Sequence, residues 1–150
     1  MASQAASADD RLREMLEAAG VRYTGARRKV ANRLCAEHRP MSADDVYRCE
    51  PSVPFSSVYR TLAVLARAGV ARRLAGTDGV ARFELAEAVS GEHHHHLVCI
   101  GCGAMDVLVL PAAAEIELDR AARAVEESGR FVVHSQRVEL TGRCAVCASR

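Results

Sequence analysis

Residues 92–103 read EHHHHLVCIGCG, four consecutive histidines followed two residues later by a Cys-x-x-Cys pair. An affinity tag would sit at a chain end, and this run is internal. A second pair, Cys144 and Cys147, closes the sequence CAVC near the C-terminus. A two-residue spacer lets both sulfurs reach one ion, and zinc prefers four tetrahedral thiolate or imidazole ligands. Compact zinc ribbons place the second pair about 15–20 residues on, whereas 41 residues separate Cys102 from Cys144 here. An ion held by Cys99, Cys102, Cys144 and Cys147 would therefore clip the end of a module's last strand to its first hairpin. Two unconnected pairs, or a redox disulfide, are the alternatives.

The residues between the pairs describe that module. HHHLVCI and AMDVLVL have strand character on either side of the Cys-x-x-Cys-Gly turn. Pro111 opens a helix that runs to about Glu127, as proline does in a first helical turn. Gly129 stops it, and FVVHSQRVELTG (131–142) predicts a third strand with CAVC past its end. The pattern strand–strand–helix–strand is an α+β module. Strand side chains alternate between faces. His94 and His96 then share one face, His93 and His95 the other, and one run can feed two metal centres. Imidazole suits zinc, iron, nickel and copper, and added carboxylates shift the preference toward harder ions. Glu84, Asp106, Glu115 and Glu117 are the carboxylates on offer. The bland alternative is a solvated, polar strand start.

Residues 1–85 read differently. Residues 9–19 carry Leu12, Met15, Leu16 and Ala19 on one helical face, ended by Gly20. Thr24 is an N-cap for a helix with Val30, Leu34 and Cys35 in its stripe, and Ser42 caps another with Val46 inward. In FSSVYRTLAVLARAGV, Ser56 or Ser57 is the expected cap, Val58, Leu62 and Leu65 form the stripe, and Gly69 is the stop. Gly76-Thr77-Asp78-Gly79 then joins two strand-like runs. Short helices followed by a two-stranded wing make a winged helix, whose helix before the wing enters the DNA major groove. Ser57, Tyr59, Arg60 and Thr61 at that helix's start can reach base edges and phosphates; an ordinary amphipathic helix with a solvated face reads the same way. The small, polar stretch 86–92 is a hinge, so the expected organisation is 1–85 winged helix, 86–92 hinge and 93–150 metal-binding module.

Composition narrows the classes. The 150 residues are 49% hydrophobic and 26% charged, which is globular, and no apolar run approaches the roughly 20 residues that cross a bilayer. The N-terminus has no apolar core of a secretory signal, so a cytoplasmic protein is expected. Net charge is +1, yet residues 1–85 hold 14 basic and 10 acidic side chains, and residues 86–150 hold 6 and 9. A basic N-terminal half fits a polyanion partner. Cys35 and Cys49 stand alone and read as packing residues.

Assembled in order, TGARRKV, MSADDVY, SSVYRTLAVLARAGV, RFEL, HHHHLVCIGCG and GRCAVC resemble the ferric uptake regulator family of bacterial metal-responsive repressors, over about Leu12 to Cys147. The resemblance implies an α+β fold with an N-terminal winged helix-turn-helix domain and a C-terminal α/β dimerisation domain carrying a four-cysteine zinc site. It also implies a homodimer on a palindromic double-stranded operator, with no membrane and no small-molecule substrate. By position, Tyr59 and Arg60 match base-contacting residues, Arg22 a residue probing the minor groove, and Thr24 and Arg27 a Thr-x-x-Arg near the DNA backbone. Cys99, Cys102, Cys144 and Cys147 match structural zinc ligands. Glu84, His94 and His96 match three ligands of a regulatory site at the hinge. A fourth falls at Pro40, where His38, two residues earlier, is the substitute. A second regulatory site would use His93, His95 and a helix carboxylate at Ala114 or Glu115, with Glu115 the expected ligand. Its strand histidine falls at Gln136, with His134 two residues away on the same face.

Nitrogen–oxygen ligation without thiolate favours Fe(II) as the regulatory metal. Zinc-sensing members add a cysteine shortly after the position of Glu84, and Leu85 and Ala86 stand there. Zinc, nickel, manganese and a peroxide-sensing branch remain alternatives; the last uses an aspartate at the place of Val107, beside Asp106. A redox-switched zinc protein is a remoter reading. An enzyme is not expected, because His-Glu-x-x-His and the zinc-deaminase motifs do not occur.

Overall fold

The computed structural model describes residues 2–150, with side chains from residue 8 onward. Four helices come first: α1 (Ala2–Ala18), α2 (Gly25–Glu37), α3 (Ala43–Cys49) and α4 (Phe55–Arg67). α1 starts seven residues before the expected stripe. Thr24 and Ser42 act as the expected N-caps, and Ser42 with Asp45 forms a reciprocal capping box. Helix α4 departs from expectation. Its N-cap is Pro54, without a side-chain hydrogen bond, so Ser56 and Ser57 lie within the first turn. The proline's extended ψ of 142° leads the chain into the helix, and its carbonyl accepts the Ser57 and Val58 N–H groups.

The apolar stripes meet in one core. Leu12, Leu16, Val30, Leu34, Val46, Val58, Leu62 and Leu65 are buried together, closed by Phe83 from the wing. Full burial of a side chain such as Leu16, Leu62 or Leu65 contributes roughly 1.5–3 kcal/mol. The wing is β2 (Ala71–Ala75) and β3 (Ala81–Leu85), turned at Gly79, whose φ of +78° lies in the left-handed region. A two-residue strand β1 (Met41–Ser42) pairs antiparallel with β3, giving a sheet ordered β1-β3-β2 where two strands were expected. Residues 86–92 contain a helical turn, α5 (Glu87–Ser90), with Val89 fully buried. Arg11 Nε of α1 donates to the Val89 carbonyl at 2.9 Å, so the segment read as a polar hinge is docked on α1.

The second sheet is ordered β5-β4-β6, from β4 (His95–Cys99), β5 (Met105–Leu108) and β6 (Glu139–Gly142). β4 pairs antiparallel with β5 and parallel with β6. Helix α6 (Ala112–Glu127) starts after Pro111, as expected, and α7 (Ala145–Ala148) follows Cys144. The expected third strand over 131–142 is shorter than predicted. Only Glu139–Gly142 is strand, while Phe131 and Val132 stand 69% and 68% exposed, without a ladder partner among the described residues. α6 has no buried residue. A β-prone run without a neighbouring strand cannot form a ladder on its own. No described helix is long and apolar enough to cross a membrane.

Candidate metal centres and nucleic-acid interface

The β4–β6 register sets Cys99 opposite Gly142 and so carries Cys144 to Cys99. Cys99, Cys102, Cys144 and Cys147 converge with their sulfurs within 4.8 Å of one another. The Cys144 N–H donates to Cys99 Sγ at 3.3 Å. That bond, with further N–H groups of the knuckle, pulls the Cys99 thiol down to about 6. Cys147 shares its proton with the other three sulfurs, chiefly Cys144, and is pushed up to about 12. Cys102 and Cys144 sulfurs lie 3.8 Å apart. A tetrahedron with zinc–sulfur bonds of about 2.3 Å has edges of about 3.8 Å. The four cysteines therefore fit zinc.

On one face of β4, His94 Nε2 and His96 Nε2 lie 2.9 and 2.8 Å from the same atom, Glu84 Oε2. Glu84 comes from β3 and is 4% exposed, and His96 is 1% exposed. Burial pushes the Glu84 carboxyl up, but the hydrogen bonds from His96 and His94 outweigh it and hold it below its ordinary value. The other oxygen, Oε1, is buried without a hydrogen-bond partner. Arg72 Nη1, from β2, is 3.8 Å from it. Metal–ligand bonds of about 2.1 Å at right angles separate ligand atoms by about 3 Å, close to the spacings here. Three converging ligand atoms and an unpartnered buried oxygen fit a divalent cation. His38 is not in this group. It ends α2 in the left-handed region (φ +49°), its side chain is 63% exposed, and its Nδ1 faces Glu92 Oε2 at 3.4 Å. His38, Glu92, Glu84 and His94 line one cavity of about 360 Å³.

On the opposite face, His93, His95 and Glu115 come together. His95 is fully buried, and its Nε2 lies 3.0 Å from Glu115 Oε1. Its other nitrogen, Nδ1, accepts the Val138 N–H at 2.9 Å. A neutral imidazole has one donor and one acceptor nitrogen, so Nε2 carries the proton and donates to Glu115. A metal-bound histidine donates from its free nitrogen to an acceptor; here that nitrogen meets a donor. That N–H belongs to the Arg137–Val138 peptide, while the next peptide's carbonyl, that of Val138, accepts the His96 N–H at 3.1 Å. The ligand atoms of the trio lie within 4.8 Å of one another, and ligation at His95 Nε2 would require its proton to leave. His134 is exposed and outside the trio. Gln136 Nε2 donates to Asp119 of α6 at 2.6 Å. Of the remaining carboxylates, Asp106 accepts its neighbour's N–H and Glu117 pairs with Arg120.

The candidate nucleic-acid residues lie in two places, the first turns of α4 and the approach to α2. Tyr59 is 59% exposed on α4, beside exposed Arg60 and half-buried Ser57. Thr24 is occupied by capping, accepting the Arg27 N–H at 3.3 Å. Arg27 in turn donates to the Arg22 carbonyl at 2.5 Å. Arg22, Arg27 and Arg67 line one cleft, a cationic site that sequence spacing does not reveal because Arg67 lies 40 positions after Arg27.

Residues 18–141 match the profile of the ferric uptake regulator family. The ferric uptake regulation protein of Neisseria gonorrhoeae is 32% identical over 142 residues, 90% of this chain and 92% of that protein. That of Bacillus subtilis is 29% identical over 143 residues, 92% and 93% of the two chains. The structure of the ferric uptake regulator from Pseudomonas aeruginosa with manganese superposes with a TM-score of 0.65 at 36% identity, covering 87% of this chain and 95% of that one. The Vibrio cholerae ferric uptake regulator gives 0.66 at 26% identity, covering 88% and 98%. With a winged helix, a four-cysteine cluster and a profile match across most of its length, the chain belongs to the ferric uptake regulator family of metal-responsive, DNA-binding transcription regulators.

Proposed function

We propose that this chain is an iron-responsive repressor that binds a palindromic operator as a homodimer in the cytoplasm. The single observation that carries the reading is the shared carboxylate: Glu84 of the wing held by His96 of β4 and by His94 just before it, with its second oxygen unpartnered. Glu84, His94 and His96 would hold the regulatory cation, whose charge would neutralise the buried carboxylate. His38 lies outside that ligand set. The set contains nitrogen and oxygen but no sulfur, which favours Fe(II). Zn(II), Mn(II) and Ni(II) sensing, and a peroxide-sensing role, are the alternatives; zinc sensing lacks its added cysteine at Leu85 and Ala86, and the peroxide role would draw on Asp106 beside Val107. Cys99, Cys102, Cys144 and Cys147 would hold a structural zinc.

Residues 1–85 act as the DNA-binding unit, 86–92 as the joint and 93–150 as the dimerisation unit. Ile116, Val125, Phe131, Val132 and Leu140 leave an exposed apolar surface on the last unit, suited to a second copy of the chain. Two recognition helices of a dimer must lie about one DNA turn, roughly 34–36 Å, apart. Glu84 joins the wing to β4 across the joint and fixes that spacing. Ligation favours the fixed form, so DNA affinity follows metal by population shift. Tyr59 and Arg60 read base edges beside Ser57, Arg22 probes the minor groove, and Thr24 and Arg27 contact the DNA backbone.

The test is titration of zinc-loaded dimer with Fe(II), Zn(II), Mn(II) and Ni(II) against a duplex selected from a random library. The parent tightens its binding with metal, most with Fe(II), and Glu84→Ala and His96→Ala do not respond. Equal operator binding by parent and both variants, without metal dependence, overturns the reading.

A further inference from the structure

The wing touches the second sheet at both of its ends, and only one end belongs to the hinge trio. At the base stands Glu84. Near the tip, Leu74 of β2 is buried with Val98 of β4 and Met105 of β5, in a small cluster separate from the main core. In the turn, Thr77 Oγ1 donates to the Cys99 carbonyl at 2.9 Å. The Asp78 carboxylate lies against Gly103, directly after the Cys-x-x-Cys pair. A Cβ on Gly103 would come within 2.2 Å of Asp78 Cγ, so glycine alone permits this approach. Asp78 is fixed from its own side by both Arg82 guanidinium nitrogens at 2.9 Å, and by the Val80 N–H at 3.1 Å. The Arg82 bond holds the Asp78 carboxyl well below the usual carboxylate range.

We infer that Leu74, Thr77 and Asp78 are positioning residues that latch the wing onto the cysteine knuckle independently of the regulatory metal. The inference rests on the reading of Glu84, His94 and His96 as the regulatory site. None of the tip contacts uses a side chain of that site, so they persist when no cation is held there. They also bring Glu84 to its histidines before ligation. Two fasteners on one hairpin cooperate, because closing the first raises the effective concentration of the second. Loosening the tip lowers the fraction of molecules ready to bind metal, and the metal needed for half-response rises in proportion. The knuckle thereby acquires a role beyond its own module: it is the surface on which the wing of the DNA-binding unit rests.

The experiment uses the full-length, zinc-loaded dimer with Mn(II) as the probe metal. Variants are Leu74→Ser, Thr77→Val, which removes the donor and keeps the shape, and Thr77→Ser, which restores it. Hydrogen exchange of peptides spanning residues 71–85 is measured without Mn(II), and operator binding is measured across a Mn(II) titration. Leu74→Ser and Thr77→Val exchange faster at the wing tip without Mn(II). They also need about fivefold more Mn(II) for half-maximal operator binding. Their affinity at saturating Mn(II) stays within about twofold of the parent, and Thr77→Ser behaves as the parent. Unchanged exchange in both variants overturns the latch. So does a loss of affinity at saturating Mn(II) larger than the shift in half-response, since the tip would then act on DNA directly. Glu84→Ala separates the two readings: it abolishes the Mn(II) response and leaves the tip protected. If Glu84→Ala still responds to Mn(II) while the tip variants exchange faster, the regulatory-site assignment fails and the latch stands.

Discussion

The two faces at the start of strand β4, with His93 and His94 leading into it, carry the same pair of residues and hold them differently. His94 and His96 are stacked edge to face, with ring centroids 5.4 Å apart; so are His93 and His95, at 4.9 Å. Each pair has one glutamate within reach. The difference lies in the atoms one step out. On the hinge face, two imidazole nitrogens crowd one carboxylate oxygen, and the other oxygen has no hydrogen bond. On the far face, every polar atom of His95 is used: Nδ1 takes a backbone N–H and Nε2 gives its proton to Glu115. A buried polar atom without a partner calls for an explanation, and a bound ion is one; Glu84 Oε1 is such an atom, and so is Gln136 Oε1 on the chain entering β6. In this arrangement hydrogen bonds of the far-face trio tie α6, β4 and the chain entering β6 together as a strut.

The sharpest way to break this contrast is to remove one histidine from each face. His96→Ala deletes a proposed ligand and is expected to weaken Mn(II) binding by more than about 100-fold, beyond what outer-shell partners cost. Calorimetric titration of the zinc-loaded protein measures this. His95→Ala should leave that Mn(II) affinity within about threefold, since none of the proposed ligand atoms is lost. Its cost falls on stability. A fully buried ring disappears, a cavity opens and the Val138 N–H loses its acceptor. Together these are expected to destabilise the fold by about 3 kcal/mol, read from urea unfolding. If His95→Ala removes an ion and His96→Ala removes none, the two faces have been assigned the wrong way round.

The alternation of the faces is legible in the sequence, because a strand has a period of two and EHHHHLVC begins one. So are the winged helix, from stripes such as Val58, Leu62 and Leu65, and the caps Thr24 and Ser42. What was hidden depends on distant chain. β1 is two residues long and exists because β3 pairs with it. Val89 makes a buried helical turn of an apparently polar joint, since α1 offers it a surface. The use of His95 Nδ1 depends on an N–H arriving 43 residues later, which no local pattern encodes. Likewise His38 and His134 have the right residue type near the right positions. In this structure His38 Nδ1 faces Glu92 across the cavity it shares with Glu84 and His94, and His134 is exposed.

A milder substitution separates ligand from hydrogen-bond acceptor at the same atom. Glu115→Gln removes the carboxylate charge but keeps an oxygen that can accept the His95 Nε2 proton. A strut loses little: the charge-assisted bond becomes a neutral one, at a cost of about 1 kcal/mol, and the number of Mn(II) ions bound per protomer is unchanged. A metal centre would lose an anionic ligand, and one ion per protomer would disappear from the titration.

The smallest expected change involves no substitution at all. Long-range proton–nitrogen correlation spectra distinguish a protonated from an unprotonated ring nitrogen. In the protein carrying only its structural zinc, His95 should show an unprotonated Nδ1 and a protonated Nε2, because the Val138 N–H points at the former and Glu115 accepts from the latter. Further Zn(II), as a diamagnetic probe, should move the His94 and His96 signals, whose Nε2 atoms face Glu84, and leave His95 in place. For His95 Nε2 to accept a metal, its proton must leave, and Nδ1 must take one up against an opposing N–H. The Arg137–Val138 peptide would have to turn its N–H away from Nδ1. Loss of the His95 Nε2 proton on Zn(II) addition would show that the strand makes that shift, and the far face would then be a second metal centre rather than a strut.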